Sequence, residues 1–523
     1  MSISLKKLLA DFVNPDELPD LMIHHLTADS REVKPGSLFF AYPGHKTDGR
    51  HYLKQAHHQG VKVIVCEKVG LEIYHELLQG LHADVLIIPL HGVQSKLSEI
   101  AARFYDYPSR AMTVIGVTGT NGKTSCTHFI AEVLNTLGTR TAVMGTLGYG
   151  IPPDLKESLH TTQDAISIQR NLAEFRDQGI QVVAMEVSSH GLAQHRVDAV
   201  EFAIAAFTQL SQDHLDYHVT FEDYAAAKER LFHFASLKHV VLNLDDPMGY
   251  RLAETFVETI HELSPIDELS PIHDLSSIHE LPLCMGYTQE RKELKNLDII
   301  SAEEIQFEVN GFKLSLNTPW GNGIVHSPLL GRFNISNLLL VLAVVGLLKP
   351  NLTETLVRLE KLHSVPGRLQ QFGGQGLPEV IVDYAHTPDA LEKVLMTLRE
   401  HCRAKLWCVF GCGGDRDRGK RPLMGAIAER LSDRVVLTDD NPRSEDSVQI
   451  LKEIQEGLSG DKPIELVNDR ALAIKYAIQN ASRDDMILIA GKGHEEYQII
   501  GSERRYFSDR EQVEAELKNK LSS

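Results

Sequence analysis

Between Gly116 and Ser125 the chain reads Gly-Val-Thr-Gly-Thr-Asn-Gly-Lys-Thr-Ser. Residue types at this spacing suit the binding of phosphate oxygens. Glycines let backbone N–H groups close around an anion, and a helix starting behind them presents the positive end of its dipole. Gly119, Thr120, Asn121, Gly122, Lys123, Thr124 and Ser125 are therefore candidate ATP contacts. Lys123 is placed to reach the outer phosphates, and the Thr124 hydroxyl to ligate Mg²⁺. The run departs from the common phosphate loop G-x-x-x-x-G-K-[ST], because Val117 stands where the first glycine belongs. The loop points to a nucleotide and leaves the reaction open.

The elements around it must position it. Met112–Val117 reads as a buried strand, and a helix follows from Thr124 with Phe129, Ile130, Val133, Leu134 and Leu137 at helical spacing. Val61–Cys66, Val85–Ile88, Val182–Met185 and Phe202–Phe207 read as further buried strands, and Asn334–Leu348 as an apolar helix. From about residue 365 strands and helices alternate: Val380–Asp383, Pro388–Glu400, Leu406–Phe410, Pro422–Leu431, Val435–Thr438, Val448–Leu458 and Ile487–Ile489. Alternation predicts a parallel sheet with helices on both faces. The expected fold class is α/β in three domains: an N-terminal α/β substrate domain (1–107), a central P-loop ATPase-like domain with a mostly parallel sheet (108–364), and a C-terminal Rossmann-like domain (365–523). Ligands of such sheets bind at the carboxyl ends of strands. Asp383 and His386 lie at such an end, and Glu186 and His214 are expected to follow buried strands.

The formal net charge of −18 argues against nucleic acid as a partner. The longest apolar run, Leu338–Leu348, is too short for a bilayer, which needs about 20 residues. The segment Met1–Lys7 lacks a secretory signature. No membrane partner is expected, and the expected location is the cytoplasm, with the six scattered cysteines as reduced, mostly buried thiols. Four related hexads between Ile260 and Leu283 read as an acidic surface insertion without a catalytic role.

The variant T-G-T-N-G-K-T resembles that of the Mur ligases and their relatives, the folylpolyglutamate synthases. The resemblance extends in order from about residue 27 to about residue 500. It is carried by Met185–Leu192 (M-E-V-S-S-H-G-L), Leu210–His218 (L-S-Q-D-H-L-D-Y-H), Gly331–Asn337 (G-R-F-N-I-S-N) and Val382–Pro388 (V-D-Y-A-H-T-P). Gly411–Arg421 (G-C-G-G-D-R-D-R-G-K-R), Asp440–Arg443 (D-N-P-R) and Gly491–Glu495 (G-K-G-H-E) complete it.

The resemblance implies an ATP-dependent ligase of peptidoglycan precursor synthesis. ATP phosphorylates the D-Glu carboxylate of UDP-N-acetylmuramoyl-L-Ala-D-Glu, and the amine of meso-2,6-diaminopimelate attacks the acyl phosphate. It implies catalytic roles for Lys123, Glu186, His214 and Lys228, with Thr124, Glu186, His214 and a CO₂-derived carbamate on Lys228 supporting Mg²⁺. Carbamylation requires a neutral amine, hence a depressed lysine pKa. Asn334, Arg368, Asp383 and His386 join the phosphate loop as ATP contacts. Ala28, Ser30, His45, Lys46, Thr47, His160, Thr161, Thr162, Ser188, Gln194 and Arg196 are implied to hold the UDP-muramoyl dipeptide, with Arg196 suited to pairing a carboxylate bidentately. Arg416, Asp440, Asn441, Pro442, Arg443, Gly491 and Glu495 are implied to hold diaminopimelate. An arginine fork suits its extra carboxylate and repels the lone ammonium of lysine.

His160, Gln209 and Gln212 depart from the family pattern and affect fine substrate contacts. The alternatives are another amide ligase of the superfamily, lysine-adding or folylpolyglutamate synthase-like, and a P-loop ATPase switch. The expected partners are small molecules, the expected oligomeric state is a monomer, and domain closure around substrates is expected.

Overall fold

The computed structural model describes residues 2–44, 47–79, 81, 85–158, 160–211, 215–262, 282–308, 310–365 and 367–522. The expectations placed on His45, Lys46, Gln212, His214 and most of the hexad repeat lie outside the described residues. The described part of the repeat begins at the end of a helix, Pro247–Glu262, and resumes at the strand Leu283–Thr288. The chain divides into two compact units, the first essentially residues 1–287 and the second essentially 300–523.

Besides a two-stranded pairing of Ile3–Ser4 with Met22–Ile23, the first unit holds two larger sheets. In the smaller, four parallel strands follow chain order: β1 (His25–Thr27), β2 (Ser37–Ala41), β3 (Val63–Glu67) and β4 (Leu86–Leu90). Alternate strand residues face opposite ways. Leu38, Phe40, Val63 and Val65 pack with the helix α1 (Val93–Phe104), while Phe39, Ala41, Ile64 and Cys66 pack with Leu53 and Ala56.

The larger sheet is built around β5 (Thr113–Thr118), which leads into α2 (Lys123–Thr136). Next in the chain are β6 (Thr141–Gly145), α3 (Ala165–Asp177), β7 (Val182–Glu186), β8 (Phe202–Phe207), α4 (Phe221–Glu229) and β9 (His239–Asn243). The spatial order is β6-β7-β5-β8-β9, all parallel. β5 is central, and its Val114, Ile115 and Val117 are fully buried, as expected of a strand covered on both faces. Truncating such a residue to alanine costs about 2–5 kcal/mol. Val117 lies inside the strand, paired with Glu186 on one side and Ala206 on the other. The strand thus continues through the position where the common loop would already have turned. Glu186 is the last residue of β7 rather than a residue following it. The backbone hydrogen-bond ladder runs one residue past the apolar run.

The second unit contains an antiparallel meander, β10 (Asp298–Glu308), β11 (Gly311–Thr318) and β12 (Gly321–Ser327), which the sequence expectations omitted. Its outer residues alternate half-buried with exposed, so polar residues interrupt the apolar signal. After the apolar helix α5 (Arg332–Leu348) comes the expected alternation. It runs β13 (Gln370–Gly373), β14 (Glu379–Asp383), α6 (Pro388–His401), β15 (Leu406–Phe410), α7 (Lys420–Leu431), β16 (Arg434–Leu437), α8 (Ser447–Gln455), β17 (Ile464–Leu466), α9 (Arg470–Asn480) and β18 (Met486–Ala490), of which β13, β17 and α9 were not expected. The chain ends on α10 (Asp509–Leu521).

The sheet order is β13-β14-β18-β15-β16-β17, and only the edge strand β13 is antiparallel. Ile381, Cys408, Val435 and Leu488 pack against α6, α7 and α8 on one face. Val380, Val409, Val436 and Ile487 pack against α9 and α10 on the other, so helices do cover both faces. All six cysteines are free thiols, four buried and two half-buried. Among the described residues, no helix is long and apolar enough to cross a membrane.

Candidate active site

The phosphate loop follows β5 and opens α2. Gly119 has φ +143°, and a Cβ there would lie 1.9 Å from Thr208 Oγ1, so glycine alone fits. Gly122, at φ +87°, occupies the N-cap of α2 and supplies no capping side chain. Asp164 instead caps α3 with its own carboxylate, accepting from the N–H groups of Ile166 and Ser167. An uncapped 14-residue helix leaves its first turn of N–H groups available to an anion.

The loop is braced from β8 and α4. Thr120 N–H donates to Gln209 O (2.7 Å), and Thr208 Oγ1 donates to Asn121 O (2.6 Å). Thr120 Oγ1 lies 3.0 Å from Tyr224 Oη. Lys123 Nζ donates to the carbonyls of Gly119 and Thr120, both at 2.9 Å, which holds its ammonium over the loop. Ser125 is half-buried on the first turn of α2.

Behind the loop, Thr124 Oγ1 donates to Glu186 Oε2 at 3.0 Å. The Glu186 carboxylate also accepts from Thr146 N–H (2.8 Å) and Thr146 Oγ1 (3.1 Å). Burial pushes its carboxyl up, while Lys123, Thr146 and Thr124 oppose that rise. A Cβ at Gly145 would lie 2.1 Å from Glu186 Oε1, so the carboxylate needs this glycine. Two buried side-chain oxygens, Thr124 from the first turn of α2 and Glu186 from the end of β7, suit a hard divalent cation that takes its remaining ligands from phosphate and water. Among the described residues, no group of three or more His, Cys, Asp or Glu forms a metal cluster. Lys228 of α4 is 1% exposed and donates to Gly119 O at 2.8 Å, with its Nζ 4.5 Å from the centre of the Tyr224 ring. It therefore touches the phosphate loop, although 109 residues separate it from Gly119.

The residues expected to hold the muramoyl peptide divide into two groups. Thr162 Oγ1 donates to Glu186 O (3.0 Å) and accepts from Ser188 N–H (2.9 Å), and Thr161 Oγ1 lies 3.0 Å from Thr146 Oγ1. These hydroxyls therefore adjoin Glu186. The Arg196 fork is engaged internally, by Gln194 Oε1 (3.0 and 2.6 Å) and Thr162 O (2.5 Å), and burial lowers its pKa. Gln194 Nε2 reaches Tyr217 Oη at 3.1 Å. The backbone carbonyl of exposed His160 accepts from Ser158 Oγ at 2.8 Å. The second group lies beside the small sheet. Ser30 Oγ donates to Gln55 Oε1 (2.8 Å), Thr47 O accepts from Gly44 N–H (2.9 Å), and Ala28 packs against the core of that sheet.

In the second unit, buried Asp383 ends β14 and accepts from the N–H groups of Leu369 and Ala385, both at 2.8 Å. Burial raises its carboxyl pKa against the nearby Arg368 charge. Arg368 lies 5.3 Å over the Tyr384 ring, and the His386 ring lies 4.6 Å from the same ring. Asn334, 4% exposed, donates from Nδ2 to Leu330 O at 2.8 Å.

Asp440, Asn441, Pro442, Arg443, Gly491 and Glu495 form one cluster. Asn441 Nδ2 donates to Glu495 Oε2 (3.1 Å), and Gly491, at φ +120°, would place a Cβ 3.4 Å from Asp440 Oδ2. Arg443 has φ +51°, and its Nη1 donates to Gly414 O at 2.8 Å. A Cβ on Gly414 would lie 1.9 Å from Pro442 O. Arg416, on the loop containing Gly414, is exposed and donates from Nη1 to Asp415 O at 3.2 Å. The cluster therefore offers cationic forks beside a carboxylate, a pattern that suits a zwitterion.

The sequence reading passed over Thr146 and Lys492. Thr146 follows β6, where the strand-end rule pointed. Lys492 is fully buried, with Nζ 3.3 Å from Asp440 Oδ1, 3.2 Å from Asn441 Oδ1 and 3.5 Å from Glu495 Oε2. Its signal was its position inside the G-K-G-H-E segment.

Three family profiles cover these regions. Residues 22–105 match the Mur ligase family catalytic domain, 117–270 the Mur ligase middle domain, and 367–493 the Mur ligase glutamate ligase domain. The UDP-N-acetylmuramoyl-L-alanyl-D-glutamate–2,6-diaminopimelate ligase of Coxiella burnetii is 45% identical over 97% of this chain and 98% of its own. The ligase of that name from Pseudomonas aeruginosa is 45% identical over 99% and 98%. A solved structure of a ligase with this name matches with a TM-score of 0.70 at 34% identity, covering 100% of both chains. With the loop, the Glu186 cradle and the Asp440–Arg443 cluster in family order along the whole chain, the protein belongs to the Mur ligase family.

Proposed function

We propose that this protein is an ATP-dependent ligase that joins meso-2,6-diaminopimelate to the D-Glu carboxylate of UDP-N-acetylmuramoyl-L-Ala-D-Glu. The reading assigns the precursor to residues 1–107 and the Thr161–Arg196 segment, ATP to 108–364, and the amino acid to 365–523. The observation that carries it is the cluster of Asp440–Arg443 with Glu495, where arginine forks and a carboxylate lie together. Full-length relatives bearing that ligase name support it.

In the proposed reaction a D-Glu carboxylate oxygen attacks the γ-phosphorus of ATP, and ADP leaves. The amine then attacks the acyl carbon, loses a proton and expels phosphate, leaving an amide. Lys123, the α2 N-terminus and the Gly119–Gly122 N–H groups stabilise charge on the transferring phosphoryl group. Thr124 and Glu186, with His214 and Lys228 as further family positions, would hold Mg²⁺, which neutralises phosphate charge and orients the two anions that must meet. The cytoplasm and a monomeric state belong to the same reading. So does carbamylation of Lys228, supported by its place beside the loop at Gly119. Asn334, Arg368, Asp383 and His386 are read as nucleotide contacts.

The test offers the purified protein ATP, precursor and amine singly and together while phosphate release is measured. The ligase releases phosphate only when precursor and amine are both present. Steady hydrolysis without amine would indicate an ATPase switch, and preference for L-lysine would overturn the choice of amino acid.

A further inference from the structure

Arg416 and Arg443 sit on different loops, and neither loop is regular structure. One follows β15 and spans 411–419, and the other follows β16 and spans 438–446. What sets their spacing lies behind them. Arg421, in the first turn of α7, is 0% exposed. Its Nη1 donates to Glu445 Oε2 (3.0 Å) and Glu453 Oε2 (2.6 Å), and its Nη2 donates to Glu445 Oε1 (3.0 Å) and Gly413 O (3.1 Å). Glu445 in turn accepts from Asp415 N–H at 2.5 Å. One guanidinium and one carboxylate thus hold backbone atoms of the first loop at Gly413 and Asp415, while Glu445 belongs to the second loop.

Further ties run parallel to this pair. Gly414 N–H donates to Asn441 O (2.9 Å), and Asp415 accepts from Ser444 N–H (3.1 Å) and Ser444 Oγ (2.6 Å). Asp415 and Ser444 each adjoin one of the two arginines in sequence. Arg421 also holds the Glu445 carboxyl near 2, so the pair stays charged across the neutral range.

We propose that the Arg421–Glu445 pair is a positioning device that fixes the separation of Arg416 and Arg443, and so sets the selectivity of this ligase for an amino acid carrying a distal carboxylate. The inference rests on the reading of this cluster as the amino-acid site. Neither member touches the amino acid; they act through the two loops. Two guanidinium forks match one carboxylate bidentately only at a fixed spacing, whereas a lone distal ammonium gains nothing from that spacing.

Glu445→Gln keeps the volume and removes the charge that clamps Arg421. Glu453→Gln removes a similar charge from the same guanidinium but leaves the Glu445–Asp415 tie intact. For Glu445→Gln the expected result is a KM for meso-diaminopimelate raised about tenfold or more. The ratio of kcat/KM for diaminopimelate over L-lysine should fall by a similar factor, with KM for ATP and precursor within about twofold of wild type. Glu453→Gln should lower the unfolding midpoint yet leave that selectivity ratio within about twofold. Glu445→Asp, which keeps the charge but withdraws the carboxylate by one methylene from Asp415 N–H and Arg421, should shift the ratio in the same direction by a few-fold and serves if Glu445→Gln does not fold. An unchanged ratio in Glu445→Gln, or in Glu445→Asp where that variant stands in for it, overturns the positioning role. An equal shift in Glu453→Gln also overturns it. Failure of the wild-type protein to use diaminopimelate would instead overturn the amino-acid assignment.

Discussion

The Gly119–Ser125 loop and the Asp440–Arg443 cluster, proposed as the phosphate and amino-acid sites, are built from different materials. At the loop the backbone would be the binding surface, and side chains tie back onto it. Lys123 and Lys228 both donate to the Gly119 carbonyl, and Gly122 leaves α2 without a capping side chain. At the cluster, guanidinium heads would be the binding surface under that proposal, and buried charges form the frame. Arg421 and Lys492 are fully buried behind it. Fully buried Arg470 pairs with Asp509 (2.7 Å) and donates to the carbonyls of Asp439 (3.2 Å) and Ala490 (2.9 Å), the residues that precede the two cluster segments. Triphosphate is common to many enzymes, and a backbone cradle suffices for it. Telling one amino acid from another requires side chains at set distances, and a side-chain frame holds them.

The comparison breaks first if the loop does not depend on its lysines. Lys228→Ala is expected to reduce amide synthesis by about 10³-fold, with partial recovery on adding a short carboxylic acid. Full activity without additive, measured as ligated product, would remove Lys228 from the site. The frame of the second region is tested by stability. Asp509→Asn leaves the Arg470 charge buried and unpaired, and should cost about 3–5 kcal/mol in urea unfolding. A loss below about 1 kcal/mol would mean the pair frames nothing. Arg443→Ala sharpens the division of labour. Diaminopimelate use should weaken by about 2–5 kcal/mol in kcat/KM, with the KM for ATP unchanged. Equal losses for both ligands would erase the distinction between the regions.

The smallest effect is on pH. The Arg421 hydrogen bond depresses the Glu445 carboxyl from its ordinary value to about 2. A depressed carboxylate contributes stability that is present above its ordinary pKa and lost as pH falls toward the folded value. Acid titration of stability from about pH 6 down to about pH 2 should therefore be shallower in Glu445→Gln than in wild type. Parallel curves would show that the pair adds no acid-sensitive stability.

The regions also differ in how readable they were. The loop, its strand and its helix could be read because glycines and apolar periodicity are local signals; α2 begins at Lys123, one residue from the expected start. The inner strands of the C-terminal alternation were readable for the same reason, being nearly continuous apolar runs, whereas the edge strands Gln370–Gly373 and Ile464–Leu466 are short and polar and were missed. The meander Asp298–Ser327 was not, because its exposed edge mixes polar residues into the pattern. Arg421 lies in the family segment Gly411–Arg421, but its partners Glu445 and Glu453 lie 24 and 32 residues away. No spacing rule links them.

The sequence alone determined the strand, loop and helix around Gly119–Ser125, most of the C-terminal alternation, and the family whose motifs recur from Ala28 to Glu495. These follow from local backbone chemistry and from residues that act at fixed short spacings. Only the tertiary structure decided that Glu186 belongs to its strand and shares its carboxylate with Thr124 and Thr146. It alone decided that Lys228 reaches Gly119, and that Arg421 bridges two loops. Each of these contacts joins residues far apart in the chain, and the folded packing alone selects which buried charge meets which partner.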